Sequence, residues 1–488
     1  MKKSIGINAV INGAKTVLSL FFPLITYPYI TRILQAEAIG QYNFSYSFIN
    51  CFYILAALGI ATYGIREGSR IRDDVNRLSE FVSEVYTINV LSTITSYILL
   101  VLFLTFFDKL KTYSSIIAVL SITMMFTTIG CEWVLTIYEE YFYITLRTIS
   151  FLVFSTALMF LLVKNKEDVV VYAGILVLSN SGGNILNYFA ARRKCKIKIM
   201  FNRNIARHIK PIIILSANNI ATTIYVHSDI LILGLYTSDY HTGIYTLSSK
   251  IYSIIKQVLS AMIIVSIPRF SWLLGKNDTE GYQKLASRLI NTFILLVFPC
   301  VVGLFALSGQ IVLVISTNEF LPAIVPLRIL SFALIFCIFT WFYTSCVLIP
   351  HNKEKAVLIS TSVAASINVI LNLFFIPVLG ESAAAITTVI AEATSLCICL
   401  IYSKGLVRFM IYAKDIISII LGCIAIFFVC MLTIKFIKSS IISSVVSFFG
   451  SVTVYSIILL IFKNGSLLYA LNFIKNIMFK KHSNFVSQ

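Results

Sequence analysis

Apolar runs of about twenty residues follow one another along the whole chain. Hydrophobic side chains make up 58% of the 488 residues, and charged side chains only 12%. A helix needs roughly 20 apolar residues to cross a bilayer, so these residues are enough for about 14 spans. We therefore expect an all-α membrane protein, because an unpaired backbone amide in lipid is too costly for other structures.

The runs also predict where each span lies. Because the number of predicted spans is even, both termini should lie on the same side of the membrane. No segment between the runs is long and polar enough to form a separate soluble domain. The predicted spans are 7–30, 41–63, 82–107, 114–137, 146–163, 169–190, 211–234, 243–267, 289–308, 323–349, 355–376, 381–402, 415–434 and 441–462.

The distribution of basic residues predicts the orientation. Counted in the connections and at span ends, 28 Lys and Arg residues lie on the side of the termini and 8 on the other. Cytoplasmic connections carry the excess of Lys and Arg, so we expect cytoplasmic termini. The net charge of +18 is spread over these connections, which argues against nucleic acid as a partner and favours contact with anionic membrane lipids.

A short motif occurs twice, 203 residues apart, and each copy opens an apolar run. Such a repeat indicates two similar halves, and the six spans between the copies give both halves the same orientation. We expect a six-helix lobe with a basic cytoplasmic linker at 1–205, a second six-helix lobe at 206–405, and two extra helices with an amphipathic cytoplasmic tail at 406–488. The matching residues are Gly40, Tyr42 and Ser45 in the first copy and Gly243, Tyr245 and Ser248 in the second.

Polar residues recur at helical spacing in spans one and seven. Each set has steps of 4, 3 and 4, which places its members on one helix face. A polar face within a membrane looks at protein or water, so it either packs on a neighbouring helix or lines a cavity. For Lys15 there is a third alternative, because its long side chain could extend to the inner surface of the membrane. The sets are Asn8, Asn12, Lys15 and Ser19 in span one, and Asn218, Thr222, Tyr225 and Asp229 in span seven.

Span eight carries two lysines, Lys250 and Lys256, with Tyr252 between them. Lys256 lies too deep to reach the surface, and a lysine near the midplane costs roughly 2.5 to 3.5 kcal/mol on insertion scales. It therefore needs either a hydrated cavity or an ion pair with Asp229 or Glu392. Glu392 itself lies in mid-span and must face protein or water.

Four motifs occur in a fixed order along the chain. They are the Gly40-x-Tyr42 corner, Asp229 before Gly243-x-Tyr245, the Pro268-Arg269-Phe270-Ser271 junction, and the stretch from Asn368-x-x-x-Asn372 to Ala385. In this order and spacing the chain resembles the Wzx-type O-antigen flippases, which form the polysaccharide-export branch of the multidrug/oligosaccharidyl-lipid/polysaccharide exporter superfamily. The similarity covers essentially the whole chain.

The resemblance implies a fold of two pseudo-symmetric six-helix bundles in a V around a central cavity. It implies transport of an undecaprenyl-pyrophosphate-linked oligosaccharide from the cytoplasmic to the periplasmic leaflet of the bacterial inner membrane, by alternating access. It further implies a monomer without cofactor, coupling to a proton or sodium gradient, and a polysaccharide polymerase and chain-length regulator as partners.

Related flippases use cationic residues in the first, second and eighth spans, and Lys15, Lys250 and Lys256 match the first and eighth. Ammonium groups would hold the pyrophosphate through charge-assisted hydrogen bonds. Asp229 and Glu392 would balance charge or couple a cation. The second span has only polar residues: Tyr42, Asn43, Ser47, Asn50 and Tyr53. The side chains predicted to meet the sugars are Asn8, Asn12, Asn218, Thr222, Tyr225 and Tyr252.

Two other functions are alternatives to a flippase. A drug or cation antiporter of the same superfamily should centre its cavity on carboxylates, whereas lysines outnumber the deep acids here. An O-antigen polymerase or membrane glycosyltransferase needs a large external loop, and the longest predicted outer connection is only 309–322. No H-E-x-x-H, P-loop or DxD-like cluster occurs, and the ten cysteines lack a metal-binding pattern. We expect neither catalysis nor a metal site.

Overall fold

A computed structural model describes residues 5–409 and 413–468. At positions 5–21, 24, 203, 218 and 413 it describes the backbone alone. The described residues form helices and no β-strand. The prediction of an all-α protein is therefore confirmed. The amphipathic tail predicted at the C-terminus lies mainly outside the described residues.

The helices of the first half include one π-helical segment in the sixth predicted span. They are α1 (Ile5–Ala57), α2 (Ile60–Arg70), α3 (Val75–Phe106), α4 (Asp108–Lys111), α5 (Ser114–Gly130), α6 (Glu132–Ile137), α7 (Tyr141–Leu162), α8 (Val169–Val177), the π-helix Leu178–Gly182, α9 (Asn184–Arg192), the 3₁₀ turn Arg203–Ile205 and α10 (Ala206–Tyr236).

A second π-helical segment interrupts the helices of the second half. They are α11 (Asp239–Gly275), α12 (Thr279–Ala306), α13 (Ser308–Ile315), the 3₁₀ helix Asn318–Ala323, α14 (Ile324–Phe342), the π-helix Tyr343–Leu348, α15 (Glu354–Leu379), α16 (Glu381–Ser403), α17 (Ala413–Phe436) and α18 (Ser440–Ile461).

Eleven helices in the described part are long and apolar enough to cross a membrane, or up to 12 if the bent α10 is one span. The predicted fourth span contains the shorter apolar helix α5, of 17 residues. The first predicted span lies in the early part of α1, where mostly the backbone is described. Each predicted span thus coincides with helix, which confirms a multi-span membrane protein. The count of 14, the pseudo-symmetric repeat and the V-shaped arrangement stay predictions.

Helix α1 contains the first predicted span, most of the second, and a break between them. Its 53 residues would extend about 80 Å as a straight helix, far more than the ~30 Å of a bilayer core. The break falls at Gln35, whose φ of 62° and ψ of −177° are not helical. A residue other than glycine rarely adopts a positive φ. The chain therefore turns where the sequence placed the first outer connection.

The chain divides into two compact units. The first comprises residues 1–246 and 372–380, and the second comprises 247–371 and 381–488. Two of these boundaries fall inside α11 and α15, and the third falls between α15 and α16. The three-part division into 1–205, 206–405 and 406–488 instead follows the sequence repeat. That division stays a prediction.

In the first unit, α1 is the central helix and packs against α3, α5, α7 and α10. A core of fully buried residues joins α3 to α6, with Leu78, Val82, Val85 and Val134 each 0% exposed. In the second unit, α14 packs against α12 and α16, and α17 packs against α18 and α12.

The basic linker is anchored to the first unit through Glu84 of α3. This carboxylate is fully buried and accepts hydrogen bonds from Arg207 and Asn202, both at 2.8 Å. The ring of His208 lies 2.8 Å from the same carboxylate and 2.7 Å from the Tyr63 hydroxyl. A buried carboxylate needs such partners, so this cluster fixes the linker and the start of α10 on α3.

The two repeated glycines meet in the first unit through a reciprocal backbone contact. A Cβ added to Gly40 would lie 1.8 Å from the carbonyl oxygen of Asp239, and a Cβ added to Gly243 would lie 1.9 Å from that of Ala36. Each glycine therefore meets the carbonyl four residues before its counterpart. Only residues without a side chain allow two backbones to approach this closely. Equivalent copies of one motif would produce this reciprocity.

We predict that Gly40→Ala and Gly243→Ala each destabilise the protein. The added methyl group would overlap a backbone carbonyl, and overpacking of this kind costs typically about 1–3 kcal/mol. The thermal midpoint of the detergent-purified protein, followed by size-exclusion fluorescence, should fall by several degrees. Gly303→Ala is the matched control, because no atom lies within 4 Å of a Cβ there. Midpoints equal to that of the control would contradict the tight contact.

Candidate functional site

Four of the predicted site residues have side chains outside the described part of the structure: Asn8, Asn12, Lys15 and Asn218. Their predicted roles toward sugar and pyrophosphate stay predictions. Thr222 and Tyr225 lie on α10, where Thr222 is exposed and Tyr225 half-buried. Both have interaction partners within the protein.

Lys256 of α11 forms an ion pair within the second unit. Its ammonium lies 3.4 Å from Oε1 of Glu392 and 5.7 Å from the ring centre of Tyr252. The side chain of Lys256 is 29% exposed, and that of Glu392 is 6% exposed. The sequence allowed either a hydrated cavity or an ion pair with Asp229 or Glu392. The structure shows the ion pair with Glu392. The two charges largely neutralise each other.

Lys250 differs from Lys256 in lacking such a partner. It is half-buried on α11 and forms no salt bridge with any side chain that the structure describes. Lys256 follows Lys250 by six positions, so the two lysines project from different faces of the helix. Lys250 therefore offers an uncompensated positive charge within a predicted span.

Asp229 is buried in the first unit and accepts two short hydrogen bonds. The Tyr245 hydroxyl donates to Oδ2 at 2.6 Å, and the Asn372 amide donates to Oδ1 at 2.6 Å. Tyr245 belongs to the repeated motif, and Asn372 to one of the motifs that carry the family resemblance. Both of these donors are neutral, and together they orient the carboxylate.

The first unit also contains a cavity of about 500 Å³ that polar and apolar side chains line together. This volume falls within the roughly 300–1,000 Å³ of small-molecule sites. Sequence reasoning missed it because its wall comes from many separate helices. The polar residues of the second span were the available signal, since several of them line it. The lining residues are Tyr42, Tyr46, Ile49, Asn50, Tyr53, Ala56, Ala57, Ile60, Ala61, Asn89, Leu120, Thr123, Met124, Thr127, Thr128, Glu132, Trp133, Leu176, Val177, Asn180, Ser181 and Asn184.

Three interruptions of regular helix border this cavity. Leu58 and Gly59, with φ of 40° and 65°, separate α1 from α2, and Cys131, with φ of 45°, separates α5 from α6. The π-helix Leu178–Gly182 separates α8 from α9. At membrane depth, irregular backbone is tolerated where it is buried in protein or lines a cavity, and π-helical segments are frequent at functional sites.

Glu132 is held at the cavity wall by a hydrogen-bond network. Its Oε2 atom accepts from Arg147 at 2.7 Å and from Asn187 at 3.2 Å. Asn184 accepts from the same two side chains, at 3.4 Å from Arg147 and 3.0 Å from Asn187. Gly183 leaves room for the arginine, because a Cβ there would lie 2.7 Å from its Cδ. Arg147 thus neutralises Glu132 from behind the wall.

Comparison with known families shows that more than half of the chain's length matches one protein family. A family described as polysaccharide biosynthesis protein matches residues 5–274. The chain belongs to this family. The matched region includes the whole cavity wall, Asp229 and both lysines of α11.

One relative of this chain is archaeal. It is a probable low-salt glycan biosynthesis flippase, Agl15, from Haloferax volcanii, 24% identical over 176 residues. The match covers 35% of this chain and 36% of the relative, so the chain spans about a third of the relative's length.

The described side chains of this family member include no group of three or more His, Cys, Asp or Glu residues that could hold a metal ion. The described polar groups within the predicted spans include single charged residues, the ion pairs Lys256–Glu392 and Arg147–Glu132, and the amides and hydroxyls of the cavity wall. Such groups can bind an anion, a cation or a neutral polar ligand by hydrogen bonds and charge.

We predict that Lys256 and Glu392 are energetically coupled. Lys256→Met leaves a buried carboxylate without its partner, and removal of one member of a buried pair costs about 3–5 kcal/mol. The double variant Lys256→Met/Glu392→Gln should be more stable than the sum of the single losses, by about 0.5–3 kcal/mol in a double-mutant cycle of unfolding free energies.

The exposed pair Glu280–Lys284 is the control for this cycle, because its side chains are 79% and 65% exposed. Its coupling should be close to zero, since exposed pairs contribute little. Equal coupling in the two cycles would contradict a buried pair.

Proposed function

We propose that this protein is a flippase for a lipid-linked oligosaccharide. The observation that carries the proposal is membership of the polysaccharide biosynthesis family in a multi-span protein that has charged side chains and a cavity within its predicted spans. The substrate would be an undecaprenyl-pyrophosphate-linked repeat unit of O-antigen or a similar surface polysaccharide. It would move by alternating access from the cytoplasmic to the periplasmic leaflet of a bacterial inner membrane. The naming of the archaeal relative as a probable glycan biosynthesis flippase supports this choice over catalysis.

Among the side chains that the structure describes, Lys250 is the best candidate for contact with the pyrophosphate. A lipid pyrophosphate is an anion that leaves water during transfer, and an ammonium group stabilises it through charge-assisted hydrogen bonds. Lys250 has no carboxylate competitor among the described side chains, whereas an anion at Lys256 would have to compete with Glu392. Lys15 would join Lys250 in this role.

Asp229 is proposed to couple transport to a proton or sodium gradient. Its carboxylate is buried, and two neutral donors hold it in place. Uptake of a cation would remove a negative charge from a low-dielectric site, and the bonds to Tyr245 and Asn372 would have to rearrange. Such a change can bias one of two conformations, as a coupling site requires.

The remaining parts of the proposal concern the cellular setting. The protein would act as a monomer without a cofactor, with both termini in the cytoplasm. A polysaccharide polymerase and a chain-length regulator would act on the product in the periplasm.

We predict that Lys250→Ala abolishes or strongly reduces flipping. Loss of a charge-assisted hydrogen bond, worth about 1.5–3 kcal/mol, should lower transport about 10- to 100-fold. The test is complementation of a host strain that lacks the gene, measured as surface glycan and as lipid-linked oligosaccharide accumulating at the cytoplasmic face. The control is Lys276→Ala, because this exposed lysine stacks over the Trp272 ring just after α11. Equal glycan in both variants would remove Lys250 from the site.

We predict that Asp229→Asn uncouples transport from the driving gradient. The amide keeps the size of the side chain but carries no charge to exchange for a cation. In proteoliposomes that contain lipid-linked oligosaccharide, a proton or sodium gradient should accelerate flipping by the unmodified protein and leave the variant unaffected. Retention of the full gradient response would exclude Asp229 from coupling. Gradient-driven export of cationic drugs, without lipid transfer, would instead support the antiporter.

A further inference from the structure

We propose that the cavity of the first unit binds the sugar part of the transported lipid, by contact with its hydroxyl groups and ring faces. This inference rests on the proposed flippase function and adds a site to it. None of the cavity residues was among those predicted to meet sugar from the sequence. The cavity of about 500 Å³ lies within one compact unit.

The charge of the cavity favours a neutral ligand. Its lining includes one carboxylate, Glu132, and no Lys, Arg or His. Arg147 compensates that carboxylate at 2.7 Å. An anionic pyrophosphate would find no ammonium partner on this wall, and a cation would meet a carboxylate that is already paired. An uncharged polyol avoids both problems, because it needs only hydrogen-bond donors and acceptors.

Several lining groups are available for such bonds. The hydroxyl of Tyr46 and the amide of Asn180 have no hydrogen-bond partner among the described residues, and both side chains are exposed. Glu132 uses Oε2 for Arg147 and Asn187, which leaves Oε1 as an acceptor. The Asn50 amide donates to the Tyr46 carbonyl at 2.8 Å and keeps its own oxygen free. Amides and carboxylates in one wall match the mixed donors and acceptors of a sugar.

Aromatic side chains supply the second part of the recognition. Tyr42 and Tyr46 stack at 5.9 Å with an angle of 18° between their planes, and Tyr53 and Trp133 also line the cavity. One face of a sugar ring presents mainly C–H groups, which pack against flat aromatic surfaces. Tyr and Trp combine such a surface with a polar group, and therefore suit a ligand that is apolar on its faces and polar at its edge.

The surrounding backbone holds these groups in place. The α1–α2 break is fixed because the Ser216 hydroxyl donates to the carbonyl of Leu58, and Asn89 donates to that of Ala56 at 2.9 Å. The Arg147 network fixes the start of α6 on α9. Irregular backbone with satisfied carbonyls is what a preformed transporter site needs, and it distinguishes the cavity from a simple packing defect.

The test measures binding of two separate probes to the full chain in nanodiscs. One probe is the water-soluble oligosaccharide released by mild acid from the host's lipid-linked pool, and the other is undecaprenyl pyrophosphate without sugar. The reporter is the fluorescence of Trp133, made the sole tryptophan by Trp272→Phe and Trp341→Phe. The oligosaccharide should change this fluorescence saturably. Tyr46→Phe and Asn180→Ala should each weaken that binding about tenfold. Neither substitution should change the binding of undecaprenyl pyrophosphate, which is measured by competition with a labelled lipid.

The control variant is Tyr236→Phe, which removes the same hydroxyl from an exposed tyrosine of α10 outside the cavity wall. It should bind both probes like the parent chain, and thermal midpoints show whether each variant is folded. Oligosaccharide binding that Tyr46→Phe and Asn180→Ala leave unchanged would overturn the sugar site.

Transport by the same proteins separates this inference from the proposed function. If the parent chain flips lipid-linked oligosaccharide and the cavity variants flip it equally well at every substrate concentration, only the sugar site fails. If the parent chain does not flip the lipid at all, the proposed function fails. A raised half-saturating substrate concentration in Tyr46→Phe and Asn180→Ala would support both.

Discussion

The close approach of two backbones at Gly40 and Gly243 is the contact on which the rest of the first unit depends. It brings the corner of α1 against the first turn of α11, at a distance that no side chain would permit. Because α1 is also the central helix of this unit, the crossing sets where its polar residues lie. One tyrosine of the repeated motif, Tyr42, thereby lines the cavity, whereas its counterpart Tyr245 holds Asp229. The same short motif thus serves two different polar sites.

The bilayer explains why polar groups in this protein occur in such sites. In lipid, an isolated charge or an unsatisfied backbone group is costly, so each one must be paired, hydrated or functional. Glu392 is paired with Lys256, Glu132 with Arg147, and Asp229 with neutral donors. Lys250 forms no ion pair with a described side chain. The protein therefore combines a cavity without basic side chains with separate charged positions, and the proposed ligand has a sugar part and an anionic part.

Much of the fold could be predicted from the sequence, because the period and length of apolar runs determine where a helix can cross lipid. Each predicted span coincides with helix, and the first outer connection coincides with the break at Gln35. The sequence also singled out Lys256 as a residue that needs water or a partner. It left Asp229 and Glu392 as alternative partners, because the alignment of one helix beside another depends on packing that no local pattern records. The cavity was missed for the same reason.

The sequence by itself determined that this chain is a multi-span helical membrane protein, because its apolar content cannot be buried otherwise. It also revealed the repeated glycine motif and the resemblance to polysaccharide exporters. Only the tertiary structure decided that the two glycines touch, that Lys256 pairs with Glu392, and that the helix breaks at Gly59 and Cys131 border one cavity. These facts depend on side chains far apart in the chain meeting at distances of a few ångströms. Such contacts result from the packing of whole helices against one another. The order of residues along each helix does not specify which contacts form.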